Sequence, residues 1–329
     1  MSANTTSDII KAVQSSGRIA VVTHTNPDAD AYGSACGLAW GLRGLGKEVR
    51  VYNEHGFVPR YKIIPGADQV ISGSWGNWAA DSLLIVVDCG AAERVGDSLV
   101  ADLVKSSMVI NIDHHASNTM FGDMNLVVEG ASSTSELIFG LLKSCEQYFG
   151  RADLISCEAA ACLLSGIIGD TGSFRYPSTT ATTFKVAAEL VERGAKPDIL
   201  TQELFATQSL VALRLQSEAL CNVAVYPNGF AEVVVTQAML KKHGADILDA
   251  DSLAERARDI EGVKVSALYK QDVDLWSISL RSRRGVVDVS SIAQSFGGGG
   301  HKAAAAFRWR QDLDTLQAKL RDAIAKALA

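Results

Sequence analysis

Asp113, His114 and His115 stand directly after the apolar run Met108, Val109, Ile110, Asn111 and Ile112. A β-branched run that ends in ionisable groups reads as a buried parallel strand, and open α/β sheets carry their chemistry just beyond such carboxyl ends. Three further stretches end alike. Ile19 to Thr23 delivers His24, Asp28 and Asp30; Leu83 to Val87 delivers Asp88; the apolar stretch from Ala159 to Ile168 delivers Asp170. Taken alone, Asn26-Pro27-Asp28 is an ordinary turn and Asp30 an ordinary helix cap. Together these stretches bring many acids and imidazoles to one sheet edge, a burial that costs several kcal/mol apiece unless cations neutralise the acids. Imidazole and carboxylate donors without thiolate suit manganese or another hard-to-borderline divalent ion. Two such ions about 3.5–4 Å apart can share a hydroxide, aim it in line at phosphorus and stabilise charge on phosphoryl oxygens. His55 and His243 lie among polar residues and read as solvated.

The elements that must position these residues follow from the surrounding pattern. Ser7 can cap a helix running to about Ser16, with Gly17 as its stop. Small residues dominate Ala31 to Gly46, which lets a helix pack closely on the sheet before a strand at Glu48 to Tyr52, a βαβ unit. Ser133-x-x-Glu136 reads as a capping box opening a helix. Cys157 to Ile168 is apolar nearly all round and reads as a buried helix, with a break into a short strand as the alternative. Thr179 to Arg193 is amphipathic and stops at Gly194, and Pro197 restarts a polar helix to about Leu220. After it, Val223 to Tyr226 and Ala231 to Thr236 flank the turn Pro227-Asn228-Gly229 as a hairpin. Val263 to Lys270 and Asp274 to Arg281 form a second strand pair. Helices are expected at Gln237 to His243, Leu253 to Ile260 and Asp288 to Phe296.

With 329 residues the chain can build two cores. The expected division is 1–195, a helical connector at 196–220, and 221–329. Six cysteines without a CxxC pair fit reduced thiols in a cytoplasm. The opening residues Met1 to Thr6 show no basic region followed by an apolar core, so no signal peptide is expected, and no apolar run approaches the roughly 18 residues of a membrane span. A net charge of -6 argues against a broad footprint for long nucleic acid. A small anion held by a local cluster is compatible with it.

Gly297-Gly298-Gly299-Gly300-His301 sits between a helix and the strand-like Ala303 to Trp309. Four glycines make a flexible turn, and their backbone N–H groups can also form an anion nest with His301 as a further donor. Alternation along Leu275, Ser277, Ser279 and Arg281 sets hydroxyls and a guanidinium on one face, with Trp276, Ile278 and Leu280 on the other. The planar fork of Arg281 suits phosphate, although Arg281, Arg283 and Arg284 also read as a solvated charge run.

The four strand-end motifs, including Gly169-Asp170-Thr171-Gly172-Ser173-Phe174, resemble the DHH family of phosphoesterases. The resemblance implies one metal held by His24, Asp28 and Asp88 and a second by Asp30, Asp88, His114 and Asp170, with Asp88 as the bridge. It implies that Asp113 orients the imidazoles and that His115 faces the scissile phosphate, either protonating the leaving oxygen or stabilising phosphoryl charge. It tips the metal toward two Mn2+ ions, with Mg2+ or Co2+ as substitutes. Ser279-Leu280-Arg281-Ser282, followed by the glycine run and His301, resembles the DHHA1 domain, a substrate-binding module; this implies phosphate contacts from Arg281, Ser282, Gly298, Gly299, Gly300 and His301. Ala306 stands where that family commonly has glycine.

The implied fold is α/β: an N-terminal parallel-sheet DHH domain with helices on both faces, joined by a helical connector to a smaller mixed α/β DHHA1 domain. The implied activity is hydrolysis of RNA a few nucleotides long to mononucleotides and of adenosine 3′,5′-bisphosphate (pAp) to AMP, in the cytoplasm, with no membrane or long nucleic acid as partner and a homodimer as one assembly. Rival readings are a cyclic or linear dinucleotide phosphodiesterase, an inorganic pyrophosphatase, and a nucleotide-binding regulator that does not turn over.

Overall fold

The computed structural model describes residues 6–75, 78, 82–103, 106–273, 275–283 and 285–329. Asp274, Arg284 and the opening Met1 to Thr5 lie outside the described residues. The chain separates into two compact units that divide between Thr207 and Gln208.

In the first unit the elements are α1 (Thr6–Ser15), β1 (Arg18–Val22), α2 (Ala29–Gly44), β2 (Glu48–Asn53), β3 (Ile71–Ser72), β4 (Leu83–Val87), α3 (Asp97–Leu103), β5 (Val109–Asp113), β6 (Met124–Val127), α4 (Thr134–Phe149), α5 (Cys157–Asp170), α6 (Ala181–Glu192) and α7 (Pro197–Thr201). The six strands lie in the order β3-β2-β1-β4-β5-β6, all parallel. This order turns back between β1 and β4, and such a switch point leaves a crevice beyond the strands' carboxyl ends.

Both sheet faces are buried, which is why the strands read as continuous apolar runs rather than alternating ones. Ile19, Val21, Ile85, Val87, Ile110 and Ile112 face a core shared with α2, α4 and α5. Ala20, Val22, Leu84, Val86 and Val109 face a second core with Leu99 and Leu103 of α3. The small residues of α2 have a specific purpose. A Cβ on Gly33 would lie 2.6 Å from the Cys162 carbonyl of α5, and one on Gly37 would lie 2.6 Å from Leu163. Backbone therefore meets backbone between α2 and α5, the two helices that end at the site.

The second unit holds α8 (Leu210–Cys221), β7 (Ala224–Val225), β8 (Phe230–Val235), α9 (Gln237–His243), α10 (Leu253–Arg258), β9 (Val265–Gln271), β10 (Trp276–Ser282), α11 (Val289–Ser295), β11 (Gly299–His301), β12 (Ala304–Trp309) and α12 (Leu313–Leu328). Its strands run β11-β12-β10-β9-β8-β7, with β8 and β9 parallel and the other pairs antiparallel. One face packs on α11 and α12, the other on α8, α9 and α10.

Three expectations need correction. The helix restarted at Pro197 does not reach Leu220: it passes into a π-helical turn at Gln202–Ala206, breaks, and resumes at Leu210 behind the Ser209 cap. The capping box at Ser133 is half made. Ser133 accepts from the Glu136 N–H, but the Glu136 carboxylate is taken by the hydroxyls of Ser132 at 2.6 Å and Thr183 at 2.9 Å. His243 is not solvated, since its Nε2 lies 2.5 Å from Glu218.

Candidate metal centre

The loop after β1 begins with His24, which is 5 % exposed. Its Nδ1 donates to the Thr25 carbonyl at 2.6 Å, which leaves Nε2 turned to Asp88 at 3.5 Å. Asn53, at the end of β2, fixes this loop by donating to the Thr23 hydroxyl and the His24 carbonyl. Asp28, rather than Asp30, caps α2: its Oδ1 accepts from the N–H groups of Asp30 and Ala31, both at 3.0 Å. Its second oxygen remains for a cation.

Asp30 is the second residue of α2, buried, and its carboxylate is held by another helix. The N–H of Thr134 donates to Oδ2 at 2.6 Å and that of Ser135 to Oδ1 at 3.0 Å. These are among the first backbone donors of α4, which have no partner within their own helix and carry its partial positive charge. Thr134 also donates its hydroxyl to Asp88 Oδ1 at 3.1 Å. Asp88 follows β4 with φ of 56°, a left-handed conformation that Asp tolerates better than most side chains but that still costs free energy.

At the end of β5, Asp113 is fully buried and accepts from His115 Nδ1 at 2.6 Å and from Asn118 Nδ2 at 2.6 Å. The neighbouring His114 directs Nε2 to Asp170 at 3.0 Å and to Asp88 at 3.7 Å. Asp170 is the last residue of α5, so the fourth motif arrives on a helix end rather than a strand end.

Ligand atoms of three trios each lie within 4.8 Å of one another: His24, Asp28 and Asp88; Asp30, His114 and Asp170; and Asp88, His114 and His115. Asp88 is common to the first and third, and His114 to the second and third, so the trios form one continuous pocket. Its electrostatics are those of acids crowded out of water. Burial, reinforced by Asp88 and Asp170, pushes the Asp30 carboxyl well above the usual carboxylate range. Burial, with Asp28 and Asp88 beside it, raises Asp170 to about 6 against the pull of His114. Burial would lower His114, but Asp170, Asp30 and Asp88 raise it to about 10. Asp88 is held below its ordinary value despite burial, by His24, His115 and His114. A pocket that must retain protons to tolerate its own charge, with oxygen and imidazole donors converging, fits divalent cations that would displace those protons.

In the second unit the expected phosphate contacts converge through register. Arg281 on β10 and His301 on β11 both pair with Ala304 of the intervening β12. Cross-strand partners share a face, so two strand spacings, about 10 Å, separate them on one side of the sheet. Arg281 is not a free guanidinium: its Nε donates to Glu255 of α10 at 2.6 Å. Ser282 is buried, with its hydroxyl between Arg283 O and Val287 N. The glycine run is only partly a turn, since Gly299 to His301 form β11, and a Cβ on Gly300 would lie 2.6 Å from the Ala304 carbonyl. Ala306 pairs with Gly299, its carbonyl packed against Gly298.

Residues 18–167 match the DHH family, N-terminal domain, and residues 231–327 match the DHHA1 domain. The chain belongs to the DHH family and carries a DHHA1 domain after the DHH domain. Within that family it falls in the NrnA-like group. It is 32% identical over 327 residues to the Thermus thermophilus protein named "Bifunctional oligoribonuclease and PAP phosphatase NrnA", covering 98% of this chain and 93% of that one. The Bacillus subtilis protein of the same name is 29% identical over 318 residues, covering 94% of this chain and 97% of that one. A solved exopolyphosphatase-related protein from Bacteroides fragilis superposes with a TM-score of 0.88 at 27% identity, covering 98% of this chain and 95% of that one. No helix among the described residues is long and apolar enough to cross a membrane.

Proposed function

We propose that this chain is a metal-dependent phosphoesterase that cleaves RNA a few nucleotides long to mononucleotides and removes the 3′-phosphate of pAp. The observation that supports this most is the single pocket in which Asp88 and His114 link the three ligand trios, in a chain aligned nearly end to end with the two NrnA proteins. In this reading His24, Asp28 and Asp88 hold one cation, Asp30, Asp88, His114 and Asp170 hold the other, and both are Mn2+ in the cell. Bound there, the pair supplies a nucleophilic hydroxide at neutral pH and charge stabilisation for the phosphoryl oxygens.

The protein's own groups do the rest. Asp113 accepts the Nδ1 proton of His115, which fixes the tautomer and turns Nε2 toward the substrate phosphate, either to give the departing ribose oxygen a proton or to stabilise its phosphoryl charge. Asn118 holds Asp113 in that orientation. Thr134 and the α4 N-terminus hold Asp88 and Asp30, so the ligands are set before a cation arrives. Arg281, Gly298, Gly299, Gly300 and His301 bind a substrate phosphate, with Arg281 exchanging Glu255 for it, while Ser282 faces the other side of the sheet with its hydroxyl already engaged. Six unpaired cysteines fit a reducing cytoplasm.

The test is a side-by-side assay of the purified protein with Mn2+ on pAp, a 5′-phosphorylated diribonucleotide, a cyclic dinucleotide, pyrophosphate and a long RNA. Turnover of the first two with little on the others is expected. Preference for the cyclic dinucleotide or for pyrophosphate, or equal rates on long RNA, would overturn the assignment.

A further inference from the structure

Asp170 closes α5, and the chain then makes an unusual turn: Gly172, Ser173 and Phe174 all take left-handed φ, at 56°, 60° and 62°. For a bulky side chain this conformation is costly and persists only when its surroundings enforce it. They do. Thr171 accepts from the Phe174 N–H through its hydroxyl at 2.9 Å and from the Arg175 and Tyr176 N–H groups through its carbonyl, while Arg175 Nε donates to the Gly172 carbonyl at 2.6 Å. A strained turn directly after a proposed metal ligand is built to present something.

What it presents is an aromatic surface beside an open hollow. The ring of Phe174 stacks on Phe184 of α6, with centroids 5.4 Å apart and planes 18° from parallel. Phe184 is 57% exposed, although an aromatic on an amphipathic helix ordinarily buries itself. Ser173 and Phe174 also line a shallow, open hollow together with Pro197, Asp198, Thr201 and Gln202. Its far residues belong to the π-helical turn Gln202–Ala206, an irregularity that recurs at functional sites.

We infer that this aromatic pair, with the open hollow beside Phe174, forms a nucleobase subsite, taking the base of the nucleotide next to the cleaved phosphate. The inference rests on the proposed phosphoesterase reading. An apolar π-face that is open to solvent stacks any base, and Thr201 and Gln202 supply donors and acceptors for its edge. The subsite explains how a pocket that recognises only phosphate and metal could prefer nucleotides to simpler phosphate esters.

Phe184→Ala is the test, since an exposed side chain can be removed without opening the core. In wild type, a diribonucleotide should have a kcat/KM about tenfold above that of its abasic counterpart. In the variant the natural substrate should fall to the abasic level while the abasic one is unchanged, and Phe184→Trp should restore the difference. Equal losses on both substrates, or no loss on either, would overturn the subsite. Binding of AMP against ribose 5-phosphate, measured by calorimetry, reads the same contrast without turnover. A protein that binds AMP through Phe184 but hydrolyses neither substrate would sink the phosphoesterase reading and leave the subsite standing.

Discussion

Asn118 donates to Asp113 at 2.6 Å, and the same amide nitrogen donates to Asn111 at 2.8 Å, so its direction is fixed from two sides. Asp113 turns its other oxygen to His115. Removing the amide with Asn118→Ala leaves Asp113 Oδ2 without that donor in a fully buried setting and lets the His115 ring wander. Loss of such an orienting partner typically costs about 10–100-fold in activity. The expected result is a fall of that order in kcat with KM nearly unchanged, read by steady-state kinetics on pAp.

Asp88→Asn tests the shared carboxylate. Asn accepts the left-handed backbone required at φ 56°, so the fold should survive by circular dichroism. The neutral amide cannot serve two cations, and activity should drop by about 10²–10³-fold or more. Titration calorimetry should show both Mn2+ sites weakened together.

Gly166→Ala probes the packing that frames the site. A Cβ there would come within 2.5 Å of Asp30 Oδ1 and crowd Ser135. Overpacking of this kind costs about 1–3 kcal/mol, so the melting temperature should fall, and Mn2+ affinity with it because Asp30 must move. Gly140→Ala, also inside a helix but with nothing within 4 Å, should raise the melting temperature slightly and leave Mn2+ affinity unchanged.

The link between α4 and α6 predicts an acid-sensitive contribution to stability. Burial alone would raise Glu146, but the paired bonds from Arg193, at 2.9 and 3.0 Å, hold it below its ordinary value. A carboxyl lowered on folding contributes stability that is fully present above its unfolded pKa of about 4.3 and is lost as pH falls through the folded value. Glu146→Gln should therefore cost about 2 kcal/mol at pH 7. The difference from wild type should shrink below about pH 4 in urea melts.

Arg281→Ala should raise KM for substrates with a terminal phosphate about tenfold, the loss of a charge-assisted pair, and leave kcat on a phosphodiester lacking that phosphate near wild type. Glu255→Gln, which releases the Arg281 guanidinium, should lower the same KM. An unchanged KM in both variants would show that the pair is structural.

The strand ends were legible because β-branched runs such as Leu83 to Val87 and Val109 to Ile112 must be buried on both faces, and whatever follows them lands at one edge. All the expected metal ligands lie there. The supports were not legible. Thr134 and Ser135 act through backbone N–H groups, which carry no residue signature, across more than 100 positions of chain. Asn118 is uncharged and lies in a loop, so only its contacts reveal it. The break after the π-helical turn was hidden because neither Gly nor Pro marks it in the run Leu204-Phe205-Ala206-Thr207-Gln208-Ser209. The pairing of Arg281 with Glu255 depends on α10 lying over β10, a tertiary fact.

The grip of α4 on Asp30 has a consequence for the order in which the protein comes to life. A nascent chain that has emerged as far as β5 already carries His24, Asp28, Asp30 and Asp88, yet the groups that steady Asp30 are still to be synthesised, 104 and 105 residues downstream of it. Hydrolytic competence is thus a late event on the ribosome, and fragments released before α4 is made lack both that support and Asp170.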